Sequence, residues 1–295
     1  MNSSSRHFAN WLILATLLFG SACGRTPAPT DTTNSLEVPV DIESIEDYPV
    51  EELDGSGPVA EEPPGYFGKW WGKSDGEFDE HEFHTGDLVD SIADQIVKLE
   101  ISSMNGGEMP DVIGKCRNLR ELSIDYGSQK PLPTGIWTLR KLEKLKLYFG
   151  FPVNISPMIG QLKRLKSLEI LGVIDQDSIR IPREIGNLTQ LERLSLHSDL
   201  MLPLPREIFR LKKLHYLMLQ DLDLTELPQQ IGNLVALDTL ILSNNRLQDL
   251  PGELVALQRL EFLDLSYNLF DTVPRVLQKM KWIKSRDFTG NPPEE

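Results

Sequence analysis

Apolar residues return in a fixed register along most of this chain. From Ile96, steps of 23 residues reach Leu119, Leu142 and Leu165; one step of 26 reaches Leu191; further steps of 23 give Leu214, Leu237, Leu260 and Ile283. The text at these starts follows L-x-x-L-x-L, as in Leu237-Asp238-Thr239-Leu240-Ile241-Leu242. Apolar residues at alternate positions predict a short strand with one face buried, with Leu194/Leu196, Leu217/Leu219 and Leu263/Leu265 pointing inward. The second half of each unit reads L-P-x-x-I-G-x-L, as from Leu227 to Leu234. Proline suits the first turn of a helix, where its missing N–H has no partner to lose. Pro110, Pro133, Pro182, Pro205, Pro228, Pro251 and Pro274 fill one slot and predict a short helical or 3₁₀ turn there. The third unit departs from this, with Ser156 in the slot and Pro157 behind it. A fixed period in the twenties predicts a solenoid, because one such unit cannot bury its own apolar face.

Leucines, proline and the Ile-Gly step recur together from residue 96 to 291, and in this the chain resembles the leucine-rich repeat family. The variant is similar to the 23-residue type of Ras-interacting intracellular proteins and many bacterial repeat proteins. The resemblance implies an α/β solenoid: a horseshoe with a parallel concave β-sheet of about nine short strands. Helical or 3₁₀ turns would line its convex side, with strands about 4.8 Å apart and each repeat touching only its neighbours. The family usually has asparagine at the ninth position, bonding backbone groups inside the turn. Asn245, Asn268 and Asn291 keep it, and Asp199 can act similarly; Met104, Gly127, Gly150, Val173 and Leu222 stand there in other repeats. Apolar side chains cannot satisfy buried backbone groups, so those turns need other partners or water. The C-terminal repeats are therefore expected to be the most regular and the turns of repeats two to four looser. The longer repeat places an insertion at 172–178, expected as a loop at one edge.

The N-terminus carries a different pattern. Arg6 precedes an apolar run from Trp11 to Phe19, then Gly20-Ser21-Ala22 and Cys23. The run is short for a membrane span, so residues 1–22 read as a removable export signal. Two processing routes fit. Gly20 and Ala22 suit an ordinary signal peptidase, while Phe19 to Cys23 resembles a bacterial lipobox with Cys23 as the lipidated residue. Gly20 departs from that motif, in which a larger aliphatic residue is usual. The polar, proline-rich segment that follows favours the lipobox; the alternative is a secreted protein. Cys116 takes the slot that Leu162 holds two repeats on, and so reads as a small core residue.

Residues 23–64 have the Pro/Thr-rich, acidic composition of a disordered tether. Charge sharpens this boundary. From Gly24 to Gln95 there are 19 Asp and Glu against three Lys and Arg, a balance of −16; with Arg6 and a whole-chain −14, the repeats are left near +1. No strong basic stripe is visible in the sequence, which argues against nucleic acid and against adhesion to anionic lipid. Residues 65–95 gather Tyr66, Phe67, Trp70, Trp71, Phe78 and Phe83 with acidic residues. They read either as a cap over the open end of the first repeat or as an aromatic ligand-contacting cluster. Asp75 to His84 invites a metal proposal but lacks the spacing of a calcium loop, and His81 and His84 lack the partners of a zinc site. No metal and no cofactor is expected.

Residues 96–295 form the repeat domain, and their strand halves supply a candidate binding face. The concave positions include Tyr126, Tyr148, Phe149, Arg193, His197, Tyr216, Gln220, Phe262 and Tyr267. Aromatics mixed with charge resemble interface composition, although neighbouring strands also stack such side chains for stability. No phosphate loop, metal helix or nucleophile elbow occurs, and the repeats run to the end of the sequence without a following catalytic domain. The expected function is non-catalytic: an exported, lipid-anchored protein binding another protein or a cell-surface polymer. A structural envelope scaffold is the second reading, and a hydrolase using acidic residues 75–94 the third.

Overall fold

The structure, a computed structural model, describes residues 67–74, 77–84, 93–103, 111–127, 130–151, 154–172, 180–198 and 204–292. Cys23, the signal, the tether, Asp199 and most of the 172–178 insertion lie outside them. Two compact units divide the chain, Met1–Pro58 and Val59–Glu295, and every described residue belongs to the second. Among the described residues no helix is long and apolar enough to cross a membrane.

Eleven strands form one sheet. β1 (Phe67–Ser74) and β2 (Glu77–His84) make an antiparallel hairpin, and β1 pairs antiparallel with β3 (Ile96–Ser103). A register shift between Trp71 and Gly72 sets Trp71 opposite Lys98 and Gly72 opposite Ile96. Beyond β3 every pairing is parallel and in sequence order: β4 (Glu121–Tyr126), β5 (Lys144–Phe149), β6 (Ser167–Gly172), β7 (Arg193–Ser198), β8 (Tyr216–Gln220), β9 (Thr239–Ile241), β10 (Phe262–Asp264) and β11 (Ser285–Asp287). That is nine parallel strands, β3 to β11, with short 3₁₀ turns between them, as the register predicts. The repeat leucines line up strand by strand, for example Leu145 beside Leu168 beside Leu194 beside Leu217. Each is buried, so the core is one continuous seam between the sheet and the 3₁₀ turns. Burying one such side chain contributes roughly 1.5–3 kcal/mol.

The proline slot lies one residue earlier than predicted. Pro133, Pro182, Pro205, Pro228, Pro251 and Pro274 are the residues before the 3₁₀ turns, not their first members. Their extended backbone aims the carbonyl into the turn, where Ile185 N–H, for example, donates to Pro182 at 3.1 Å. Ser156 resolves the odd repeat: it occupies the same capping position, its hydroxyl accepts from Met158 N–H at 3.2 Å, and Pro157 opens the turn. Successive turns touch through their glycines. A Cβ on Gly186 would lie 2.6 Å from Cβ of Glu207, and one on Gly114 would lie 2.9 Å from Cα of Gly135. The Ile-Gly step is thus a close approach between neighbouring repeats.

The ninth position divides the repeats into two kinds. Asn268 is buried and donates to the carbonyls of Leu242 (2.9 Å), Leu265 (3.1 Å) and Ser266 (3.1 Å), while accepting from Leu247 N–H (3.1 Å). Asn245 does the same one repeat earlier. Just before each asparagine the chain turns left-handed, at Asn244 (φ 54°) and Tyr267 (φ 52°), and the strand stops after three residues. Where the asparagine is missing, β4 to β7 run on for six residues. Sheet pairing reaches Tyr126 beside Phe149 and Phe149 beside Gly172, and so takes over backbone groups that the amide serves elsewhere.

Candidate functional site

The face of the sheet turned away from the core carries the third, fifth and seventh residues of each repeat. The structure places most of the expected face there and corrects part of it. Tyr126 and Phe149 are core residues: their strands continue through the eighth position, so strict alternation turns position eight inward beside four and six. The two rings meet edge to face with centroids 6.4 Å apart, and Tyr126 donates its hydroxyl to the carbonyl of Pro131 at 3.2 Å. Tyr267, also at position eight, sits on the left-handed turn and is 57% exposed.

His197 lies on the outer face but is only 7% exposed. Its Nδ1 is 3.3 Å from a carboxylate oxygen of Asp221 in the next repeat. Tyr148, Tyr216 and Gln220 are half-buried, and Arg193 and Phe262 are exposed. The Arg193 guanidinium stands 4.0 Å over the ring of Tyr216, a cation–π contact between neighbouring strands.

The face has two halves of different chemistry. Over β3 to β6 the charges pair with each other: Lys144 with Glu121 (2.6 Å), Lys146 with Glu169 (3.2 Å) and Lys98 with Glu100 (3.0 Å). Burial beside Glu169, Glu100 and Asp125 pushes the Tyr148 phenol above its ordinary range. Over β8 to β10 the face is apolar. Tyr216, Thr239 and Phe262 form one row, and Met218 and Ile241 lie beside it in the next, followed by Asp264. Asp238 and Asp264 border this patch without a cation partner among the described residues.

A second surface was not legible in the linear sequence. The tight turns before β4, β5, β6 and β8 carry exposed cations in register: Arg117, Arg140 and Lys141, Lys163 and Arg164, and Lys212 and Lys213; the turn before β7 carries Thr189 and Gln190 instead. None of the seven has a carboxylate partner among the described residues. Lys141 donates to Asn118 Oδ1 (2.6 Å), Arg140 to Gln161 Oε1 (2.7 Å), Lys163 to the carbonyl of Asn187 (3.2 Å), Lys212 to that of Asn233 (3.0 Å) and Lys213 to Gln190 Oε1 (2.6 Å). These acceptors are neutral and cancel none of the charge; among the seven, Arg164 feels the carboxylate of Glu143 through space. The expectation of no basic stripe is corrected here: spaced one or two repeats apart in sequence, these cations share one edge of the fold.

Cys116 is fully buried where the register put it, and burial pushes its thiol up to about 11. Among the described residues no three His, Cys, Asp or Glu side chains are placed to hold a metal. The side chains of residues 75–84, on which the metal reading rested, lie outside the described residues, and so do all but Ala93 and Asp94 of the side chains in residues 75–94, on which the hydrolase reading rested.

The comparisons fit this geometry. Residues 203–285 match the family model of a leucine-rich repeat region. Among solved structures, a leucine-rich repeat protein of Leptospira interrogans is similar with a TM-score of 0.55 and 26% identity, over 68% of this chain and 56% of that one. The plant peptide hormone receptor RGFR1, in complex with RGF2, is similar with a TM-score of 0.50 and 24% identity, over 66% of this chain and 34% of the receptor. This chain thus matches about half of the first protein's length and a third of the second's. No curated protein sequence matches it. Nine parallel strands, 3₁₀ returns and a matched repeat region make this fold a leucine-rich repeat solenoid.

Proposed function

We propose that this protein is a non-catalytic binding module that holds a protein partner on the outer face of its sheet, at β8 to β10. The observation that carries the reading is the largely apolar surface across three strands, with Tyr216, Thr239 and Phe262 in one row, Met218 and Ile241 in the next, and Arg193 held over Tyr216. Aromatic and arginine side chains on a rigid scaffold supply much contact area at little ordering cost. The other half of the face spends its charges on internal pairs, which leaves β8 to β10 as the adhesive part. The same fold holds RGF2 in the plant receptor, but the argument for this chain rests on its own surface.

Export and anchoring complete the proposal. The apolar run before Cys23 supports a cleaved signal with lipidation at that cysteine, and residues 65–95 support a cap next to the first repeat. The repeats would then act in the cell envelope, at the end of an acidic tether.

Two measurements test this. Affinity enrichment of the anchored protein should recover a stoichiometric protein partner that Tyr216→Ala/Phe262→Ala loses. Retention of the same partner by that double variant would remove the patch from the reading. Separately, Cys23→Ala should move the protein from the detergent to the aqueous phase, and unchanged partitioning would end the lipoprotein assignment.

A further inference from the structure

We propose that the turn edge of the solenoid, away from the sheet face, is a binding surface for an acidic polysaccharide. Seven cations, none in a close ion pair among the described residues, lie along the repeats from the turn before β4 to the turn before β8. At the spacing of parallel strands this line is about 20 Å long. A linear polyanion laid along it meets one or two cations at four of the five turns and Thr189 and Gln190 at the turn before β7.

The chemistry between the cations narrows the partner. Asn118, Gln161 and Gln190 accept bonds from the neighbouring lysines and arginine on their side-chain amides, and Asn187 and Asn233 on their backbone carbonyls; the Asn118 amide also donates once, to the carbonyl of Asp94. These amides retain donors suited to sugar hydroxyls and ring oxygens. Each lysine commits one N–H to its neighbour, and its ammonium has two more to give a ligand. The neutral bonds hold the long side chains in place, which lowers the ordering cost of binding.

Further along the same edge the cations give way to an open hollow of about 420 Å³, lined by His215, Ala236, Asp238, Gln258, Glu261 and Trp282 with Arg259. The Trp282 indole is fixed by donating to the carbonyl of Leu257 at 3.0 Å. An anchored indole beside carboxylates and an amide suits a hydroxyl-rich ring, which packs its C–H face on the aromatic and donates to the acids. The same carboxylates repel any anionic group, so this end of the edge fits an uncharged sugar unit of the chain and disfavours nucleic acid, which carries a phosphate at every residue. A bilayer would use the cations but has no counterpart for the row of amides. Charged sugars on the row and a sugar ring in the hollow account for both parts of the edge.

The test uses the full chain carrying Cys23→Ala, with heparin and polygalacturonate as probes. Neutral dextran, a single-stranded oligonucleotide and phosphatidylglycerol vesicles serve as comparators. Lys141→Glu/Arg164→Glu/Lys213→Glu should weaken binding to both acidic polysaccharides at least tenfold and lower the salt dependence. Arg206→Glu/Arg246→Glu/Arg275→Glu makes the same change of net charge elsewhere and should leave binding within twofold. Unfolding curves of both variants check that they remain folded. Equal weakening by the two triple variants would show that net charge, not the row, is at work, and would overturn the proposal. So would binding of the oligonucleotide or the vesicles as tight as that of the polysaccharides. Because Tyr216→Ala/Phe262→Ala leaves this edge untouched, it should bind the polysaccharides normally whatever happens to the protein partner.

Discussion

Ser102 donates its hydroxyl to the carboxylate of Asp125 across the β3–β4 pair at 3.3 Å. Burial raises the Asp125 carboxyl above its ordinary 3.8, and this bond only partly opposes the rise. A folded-state value above the unfolded one means that ionised Asp125 disfavours the fold. The favourable contribution of the neutral acid is therefore present below the ordinary value and is lost as pH rises past it. Asp125→Asn should raise the urea midpoint at pH 7, with the gain shrinking towards pH 3. A gain that grows on acidification would refute this account.

Asn268→Ala removes a side chain that bonds three carbonyls and one N–H in a dry turn. Left unpaired, those groups should cost roughly 2–4 kcal/mol of stability. Denaturant unfolding measures it, and a loss below about 1 kcal/mol would mean that water replaces the amide.

The glycines separate into two kinds. Gly186→Ala would press a methyl group against Glu207, including its backbone oxygen at 2.9 Å, and should destabilise by roughly 1–3 kcal/mol. Gly252 has nothing within 4 Å of the same added atom and no left-handed backbone. There alanine should be neutral or stabilise by up to about 1 kcal/mol through the unfolded state. Thermal unfolding of the pair decides whether close packing of repeats or glycine itself matters.

Cys116 offers a kinetic probe of folding. A thiol moved from 9.0 to about 11 has a hundredfold less thiolate at a given pH, and burial slows access further. In a Cys23→Ala background, a thiol reagent at pH 8 should label native Cys116 more than about a hundredfold slower than the urea-unfolded chain. Native labelling at the unfolded rate would place Cys116 outside the core.

The leucine register made the sheet, its parallel order and the buried seam legible, because those depend on which positions are apolar. It did not give strand length. Position eight turns left-handed before an asparagine at Asn244 and Tyr267 but also before Leu222 at Asp221, so the ninth residue alone did not separate Tyr126 and Phe149 from Tyr267. Nor did it show the row of cations. Arg117 and Lys213 are 96 residues apart in the sequence and belong to one edge because the repeats stack. Pairing of Lys144 with Glu121 and of Lys146 with Glu169 likewise needed the strands side by side.

The asparagine ladder also has a direction. Asn245 serves Leu219, Leu222 and Leu224; Asn268 serves Leu242 and Leu247; Asn291 serves Leu265 and Phe270. Each completes the turn of the repeat before it, and none reaches forward. Fraying from the C-terminal side therefore strips the turns after β10, β9 and β8 of their partners in succession, whereas loss of an N-terminal repeat leaves these amides at work. Amide exchange should reveal this as a one-way gradient, with protection lost like a zipper that opens from one end.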